Sequence, residues 1–412
     1  MARDPQDALR AALMRHGPFE MLGVAVSGGG DSVAALVLAV EVLGAARVAA
    51  VTVDHGLRAE SAAEAQQVAA LCGDLGVAHS VLRWAGPAGG NLQEAARQAR
   101  LGLIGGWAQG RVEAVILGHT LDDQAETVLM RLARGSGVDG LSAMVEARSA
   151  NGTLWLRPFL DTPREAMRAL LRARGVAWVE DPSNSDHRFQ RVRARAVLAA
   201  LKPLGLEARR LAETARHMQR ARVALERRTR EALHALARDE AGTVVVAKSA
   251  LTLDPELRDR LFAHLLMALS GAEHRPRLDA LHRLLAQHGT LMGCVLVDEG
   301  AHLRMYREAR AVAGREAPTT GLWDGRWTAR GPGVGVIRAL GETGLRQLGV
   351  QAKAGIHAHW RDTGLSRAIL LATPAIWQED ALIAAPLAFW PQKWHLSARP
   401  VAASDNGLAL SH

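Results

Sequence analysis

Ser27-Gly28-Gly29-Gly30-Asp31-Ser32 follows the apolar run Met21–Val26 and opens a helical one. Strand, glycine-rich turn and helix together make a setting for phosphate. Glycines let the backbone turn tightly and aim N–H groups at an anion, and a helix amino terminus adds partial positive charge. The Ser27 and Ser32 hydroxyls can donate to phosphate oxygens. Asp31 cannot favour a bare phosphate, so it implies a cation between carboxylate and phosphate, with Mg²⁺ the natural choice. The stretch lacks the lysine of the classical P-loop and the spacing of GxGxxG. A glycine-rich turn without a ligand is the plainer alternative, and the position of the hexapeptide argues against it.

A second group is Gly118-His119-Thr120-Leu121-Asp122-Asp123-Gln124-Ala125-Glu126-Thr127. His119, Asp123 and Glu126 fall at i, i+4 and i+7, a spacing that lets them share one helix face. Carboxylates there can hold an ammonium, bind Mg²⁺ or take a proton from an attacking amine. His119 can steady a phosphate or nucleobase oxygen. Asp122 reads as the helix cap. Arg97 and Arg100, at i and i+3, either reach a transferring phosphate or line a solvated face.

These groups need elements to hold them. Short apolar runs at Met21–Val26, Arg47–Val53, Val77–Leu82 and Ala114–Leu117 alternate with helical patterns at Ser32–Leu43, Ser61–Leu75, Asn91–Gln109 and Asp122–Ala133. That alternation predicts βαβ units and a parallel sheet, with ligands at the carboxyl ends of its strands. Ser61 with Glu64, and Asn91 with Glu94, have capping-box spacing. Thr162-Pro163-Arg164-Glu165 starts a further helix, with proline read at its first position and an end near Gly175. A helical, basic pattern runs from Phe189 to about Ala237. A strand at Thr243–Val246 and helices near Asp254–Leu269 and Arg277–Gln287 follow, then a Gly- and Trp-rich region from Gly321 to Trp394. Trp323, Trp327, Trp360, Trp377, Trp390 and Trp394 are read as core residues, with RNA stacking as the alternative. His357 and His359 read as a surface strand rather than a metal pair.

The hexapeptide resembles the pyrophosphatase loop of the N-type ATP pyrophosphatases. That family cleaves ATP between the α and β phosphates, adenylates an oxygen of its substrate and lets a nitrogen or sulfur nucleophile displace AMP. Three further stretches resemble the tRNA(Ile)-lysidine synthetase members: Asp54-His55-Gly56-Leu57-Arg58, the Gly118–Thr127 decapeptide, and Asp181-Pro182-Ser183-Asn184 followed by Phe189, Arg191, Arg193 and Arg195. The chain departs from the pattern at Leu101 and Val192. The resemblance implies an α/β, Rossmann-like ATP pyrophosphatase domain with a parallel sheet (1–198), a helical basic domain that contacts tRNA (199–290) and a smaller C-terminal α+β region (291–412). It further implies ATP and Mg²⁺ at Ser27, Gly28, Gly29, Gly30, Asp31, Ser32 and His55, with Asp31 on the metal. Catalysis would fall to Asp31, His119, Asp123, Glu126 and Arg97, and substrate contact to Arg58, Arg191, Arg193 and Arg195. The partners implied are lysine and an isoleucine tRNA with cytidine at the wobble position. A tRNA thiolase of the same fold and a non-catalytic RNA-binding protein are the alternatives.

Charge agrees with a polyanionic partner. The chain has 412 residues and a net charge of +8. Residues 188–238 hold 14 Lys and Arg against four acids, a local +10, which leaves −2 for the remaining 361 residues. A solvated helix face usually mixes signs more evenly, so nucleic-acid contact is expected. The longest apolar run, Val33–Val40, is eight residues, far short of the ~18 of a membrane span. Asp4 and Asp7 in a start without an apolar stretch argue against a signal peptide. Two cysteines, Cys72 and Cys294, make no disulfide framework, and a cytoplasmic setting is expected. The sequence does not speak to oligomeric state.

Overall fold

Leu22–Ala25 is apolar and buried throughout, as a strand covered on both faces must be, and forms β1. The computed structural model describes residues 4–56, 61–84, 86, 92–150, 152–180, 190–353 and 359–402. They cluster into two compact units divided after Arg222.

The first unit opens with α1 (Pro5–His16), whose start is capped by Asp4 accepting the N–H groups of Gln6 and Asp7. The alternating part comes next: β1, α2 (Gly30–Leu43), β2 (Val48–Asp54), α3 (Ser61–Asp74), β3 (Ala78–Arg83), α4 (Leu92–Ala108), β4 (Ala114–Leu117) and α5 (Leu121–Leu132). Each lies within two residues of its expected bounds. A short α6 (Val138–Leu141) leads to the hairpin β5 (Ala147–Ala150) and β6 (Thr153–Leu156), which the sequence pattern does not predict. Then come α7 (Arg164–Ala173), α8 (Gln190–Leu201) and α9 (Ala208–Leu236), which runs past the division after Arg222. The continuous helix expected from Phe189 is broken by a 3-10 turn, Lys202–Leu204, and by left-handed Gly205. Ser61 is the first residue of α3, and its hydroxyl donates to Asp54 Oδ1 at 2.8 Å. Pro163 stands one place before α7, so Arg164 is the first helical residue.

The sheet order is β3-β2-β1-β4-β6-β5, parallel except for the β5–β6 hairpin. The chain leaves β1 toward β2 on one side and returns to β4 on the other. β1 is therefore the switch point where such sheets open a crevice at their carboxyl ends. Val24, Ala50 and Ile116 face α1, α2 and α7 in one core; Ala25, Val51, Val115 and Leu117 face Ile104 of α4 in the other.

In the second unit β7 (Ala237–Glu240), β8 (Thr243–Ala247), β9 (Gly289–Leu291), β10 (Cys294–Asp298) and β11 (His302–Arg307) form an antiparallel sheet of order β7-β8-β11-β10-β9. It packs on α10 (Pro255–Ser270) and α11 (Leu278–Gln287). Since β8 pairs with β11, residues on either side of position 290 share one sheet and one core. The remainder holds α12 (Ala309–Val312), a four-stranded sheet of β12 (Ala317–Pro318), β14 (Val336–Ala339), β15 (Pro374–Gln378) and β16 (Ala381–Ala384), and a β13–β17 pair (Trp327–Arg330, His395–Ala398). Helices α13 (Gly341–Lys353) and α14 (Arg367–Ala372) complete it. Trp323, Trp327, Trp360, Trp377, Trp390 and Trp394 are all buried there, as expected of core residues. His359 is not in a strand; it caps a 3-10 turn by accepting the Arg361 N–H. His357 lies outside the described residues.

Candidate active site

The register of β1 on β4 pairs Ala25 with Leu117, so the two strands end level. The segments leaving their carboxyl ends must therefore meet. Gly118 makes the meeting possible: a Cβ there would stand 2.7 Å from the Asp31 carbonyl oxygen and 3.0 Å from Ser32 Cα. The glycine loop and the decapeptide are thus packed backbone to backbone, although some ninety residues separate them in sequence.

The loop is closed by Ser32. Its hydroxyl donates to the Gly29 carbonyl (2.9 Å), accepts the Ser27 N–H (3.0 Å) and lies 3.2 Å from the Ser27 hydroxyl. Gly28 has φ +84°, a conformation that favours glycine. The segment after α7 locks the loop from outside, because the Val179 N–H donates to the Gly28 carbonyl at 2.9 Å. The first N–H groups of α2, at Gly30 and Asp31, have no intrahelical acceptor. Ser32 therefore shapes the loop, while Ser27 stays exposed at its mouth.

Thr120 caps α5, and the expected cap Asp122 does something else: its Oδ2 accepts the Arg164 N–H at 2.7 Å and so caps α7. Asp123 Oδ2 accepts both the N–H and the hydroxyl of Thr120, each at 2.9 Å. Its other oxygen, Asp31 and Glu126 converge on one guanidinium. Arg164 Nε donates to Asp31 Oδ2 (3.0 Å), Nη2 to Asp123 Oδ1 (3.1 Å) and Nη1 to Glu126 Oε1 (3.3 Å). From α8, Arg191 reaches Asp123 Oδ1 (3.4 Å) and Arg195 reaches Glu126 Oε1 (2.6 Å). Arg193, two residues along the helix from each, is exposed and takes no part in this cluster.

Two buried carboxylate oxygens in the cluster, Asp31 Oδ1 and Glu126 Oε2, have no hydrogen-bond partner. Burial pushes the Asp31 carboxyl up to about 6 against the pull of Arg164. Burial also works to raise Asp123, but Arg164, His119 and Arg191 outweigh it and hold Asp123 below the usual range. For Arg164 burial is overcome by the three acids, so it is more firmly cationic than an ordinary arginine. His119 is held neutral by burial, with Arg157, Arg191 and Arg100 adding to the effect and Asp123 opposing it.

Beside the loop a cavity of about 260 Å³ opens between the ends of β1 and β2. Ser27, Thr52, His55, Glu64 and Arg100 are among its polar lining residues. Burial and Arg100 lower the His55 pKa. Asp181–Phe189, Arg58 and the side chain of Arg97 lie outside the described residues.

A family model described as the PP-loop domain matches residues 6–201. The chain is 44% identical over 405 residues to a tRNA(Ile)-lysidine synthase of Ruegeria pomeroyi, covering 95% of this chain and 94% of the relative. It belongs to the tRNA(Ile)-lysidine synthase family. Members from Methylobacterium nodulans (43% identity; 65% of this chain, 82% of the relative) and Rhizobium meliloti (39%; 76% and 74%) are also similar. A U34-tRNA thiolase of Methanococcus maripaludis is 16% identical with a TM-score of 0.44, over 52% of this chain and 78% of that one, a likeness too slight to bear on the reaction.

For this lysidine synthase family member, the loop and acids singled out from the sequence do come together. Sequence reasoning misses Arg164, the residue that joins them, because its functional position depends on β6. That strand runs parallel to β4 and delivers the start of α7 to the same edge. The dipeptide Asn151-Gly152 is a hairpin signal that could have found it.

Proposed function

We propose that the chain ligates lysine to the wobble cytidine of isoleucine tRNA, consuming ATP and releasing AMP and pyrophosphate. The observation that carries this is the joining of an anion-binding loop to a buried acid cluster at one sheet edge, in a chain of this family. ATP is the co-substrate. Its phosphates suit the loop amides, and the cavity is just under the ~300–1,000 Å³ of ligand pockets, so it suits the nucleoside alone. The unpartnered Asp31 Oδ1 beside that loop fits a Mg²⁺ ion, which when bound would neutralise phosphate charge.

The cytidine 2-oxo oxygen attacks the α phosphorus, forming an O–P bond as pyrophosphate leaves. The lysine ε-amine then forms a bond to C2 while the C2–O bond breaks and AMP departs. Asp123 and Glu126 hold the incoming ammonium and accept its proton. Neutral His119 can face a phosphate or base oxygen, and Arg97 or Arg100 can face the α phosphate. Arg58, Arg193 and the basic residues of 188–238 would hold the tRNA backbone, a salt-sensitive contact. Arg191 and Arg195 already pair with Asp123 and Glu126 and would add to substrate contact from α8. The setting would be cytoplasmic; among the described residues no helix is long and apolar enough to cross a membrane.

The two cysteines do not favour sulfur transfer. Both are buried, and burial pushes the Cys72 thiol up to about 11 and raises Cys294 as well. The test is transfer of radiolabelled lysine to an isoleucine tRNA transcript bearing wobble cytidine, in the presence of ATP. The expected result is label on that transcript and none on one bearing uridine there. Pyrophosphate release without lysine transfer would overturn the reading.

A further inference from the structure

Asp31, Asp123 and Glu126 come from two helices, and three carboxylates this close repel one another. Among these three acids, Arg191 pairs with Asp123 and Arg195 with Glu126, whereas Arg164 pairs with all three. Its planar fork spends each nitrogen on a different acid, a division a lysine ammonium cannot copy. The main chain of Arg164 is itself pinned, by Asp122 on its N–H. Arg164 uses one oxygen of Asp31 and one of Glu126, and the other oxygen of each is buried without a partner.

We propose that Arg164 is a positioning residue for the ligation step: it gathers the three acids and leaves Asp31 Oδ1 and Glu126 Oε2 as open acceptors, the latter for the amine substrate. Arg164 does not touch the reacting atoms. It acts by fixing where the acceptors point, so its loss should weaken use of lysine more than use of ATP. The inference rests on lysine being the amine, as in the proposed function.

The experiment compares the full wild-type chain with Arg164→Ala and Arg164→Lys in the lysine-transfer assay, measuring KM for lysine and ATP separately. Arg164→Ala should raise KM for lysine by roughly tenfold or more and KM for ATP by less than about threefold. Millimolar guanidinium ion should restore part of the lysine affinity, which no general loosening of the fold would do. Arg164→Lys, which keeps the charge without the fork, should fall between. Adding Arg164→Ala to Asp123→Asn should cost less than adding it to the wild type, because one partner is already gone. If Arg164→Ala does not fold, Arg164→Lys and its KM split carry the test. An unchanged KM for lysine in a folded variant, or an equal rise for both substrates without guanidinium rescue, overturns the proposal. A wild-type chain that transfers no lysine overturns the functional reading, and this inference with it; an active wild type with an indifferent variant overturns the inference alone.

Discussion

Among the described residues, each unit holds a buried cluster in which an arginine meets acid, and the two are finished differently. In the second unit Arg307 grips Asp324 with two nitrogens, at 2.8 and 3.1 Å. Arg315 adds a third contact to Asp324 at 2.8 Å, and Arg307 also donates to the Gly293 carbonyl at 2.8 Å. No side-chain oxygen of Asp324 and no nitrogen of Arg307 is left without a partner. In the first unit Arg164 binds three acids and two of them keep a bare oxygen. A buried carboxylate oxygen without a donor is a cost that folding does not recover. The closed cluster reads as structure, and the open one as a place kept for a ligand.

The sharpest way to break this contrast is to remove an acid from each. Asp31→Ala should lower the lysine-transfer rate by roughly 10³-fold or more, about 4 kcal/mol, with little change in unfolding midpoint. A large loss of stability instead would make the open cluster structural after all. Asp324→Ala should do the opposite. It strands two arginines and should cost about 3 kcal/mol in denaturant unfolding, leaving the activity of folded protein near wild type.

Gly118→Ala tests the joint between loop and acids. With no room for a Cβ, about 2 kcal/mol of overpacking strain is expected, together with loss of activity as α2 and α5 move apart. Unchanged kinetics would show that the acids tolerate displacement. The smallest effect is expected from an ordinary ion pair, used as a control. Glu146 accepts from Arg15 and His16. Burial tends to raise its pKa, but those two donors prevail and hold it below the usual range. Its stabilisation is therefore present above the unfolded pKa of about 4.3 and lost as pH falls through the lower folded value. Glu146→Gln should cost less than about 1 kcal/mol at neutral pH, with the two unfolding curves merging in acid. A larger cost would mean that partly exposed pairs count here as much as buried ones.

The sequence shows the loop, the acids and the four parallel strands because each is a local pattern: an apolar run, a glycine turn, a helical spacing. It hides the features that depend on distant neighbours. Arg164 lies 133 residues from Asp31, and only the placement of β6 beside β4 brings them together. β5 and β6 are four residues each, too short for periodicity to register, and β5 includes the polar Arg148 and Ser149. Asp122 misleads for the same reason, since a cap for a helix 42 residues away looks locally like a cap for its own.

The bond from the Val179 N–H to the Gly28 carbonyl has a use of its own. That amide can exchange its hydrogen with solvent only when the segment lifts off the loop. Val179 is thus a single-site clock for loop opening. Its exchange rate, read with and without nucleotide, measures how much of the loop's order is built into the chain and how much the ligand must supply.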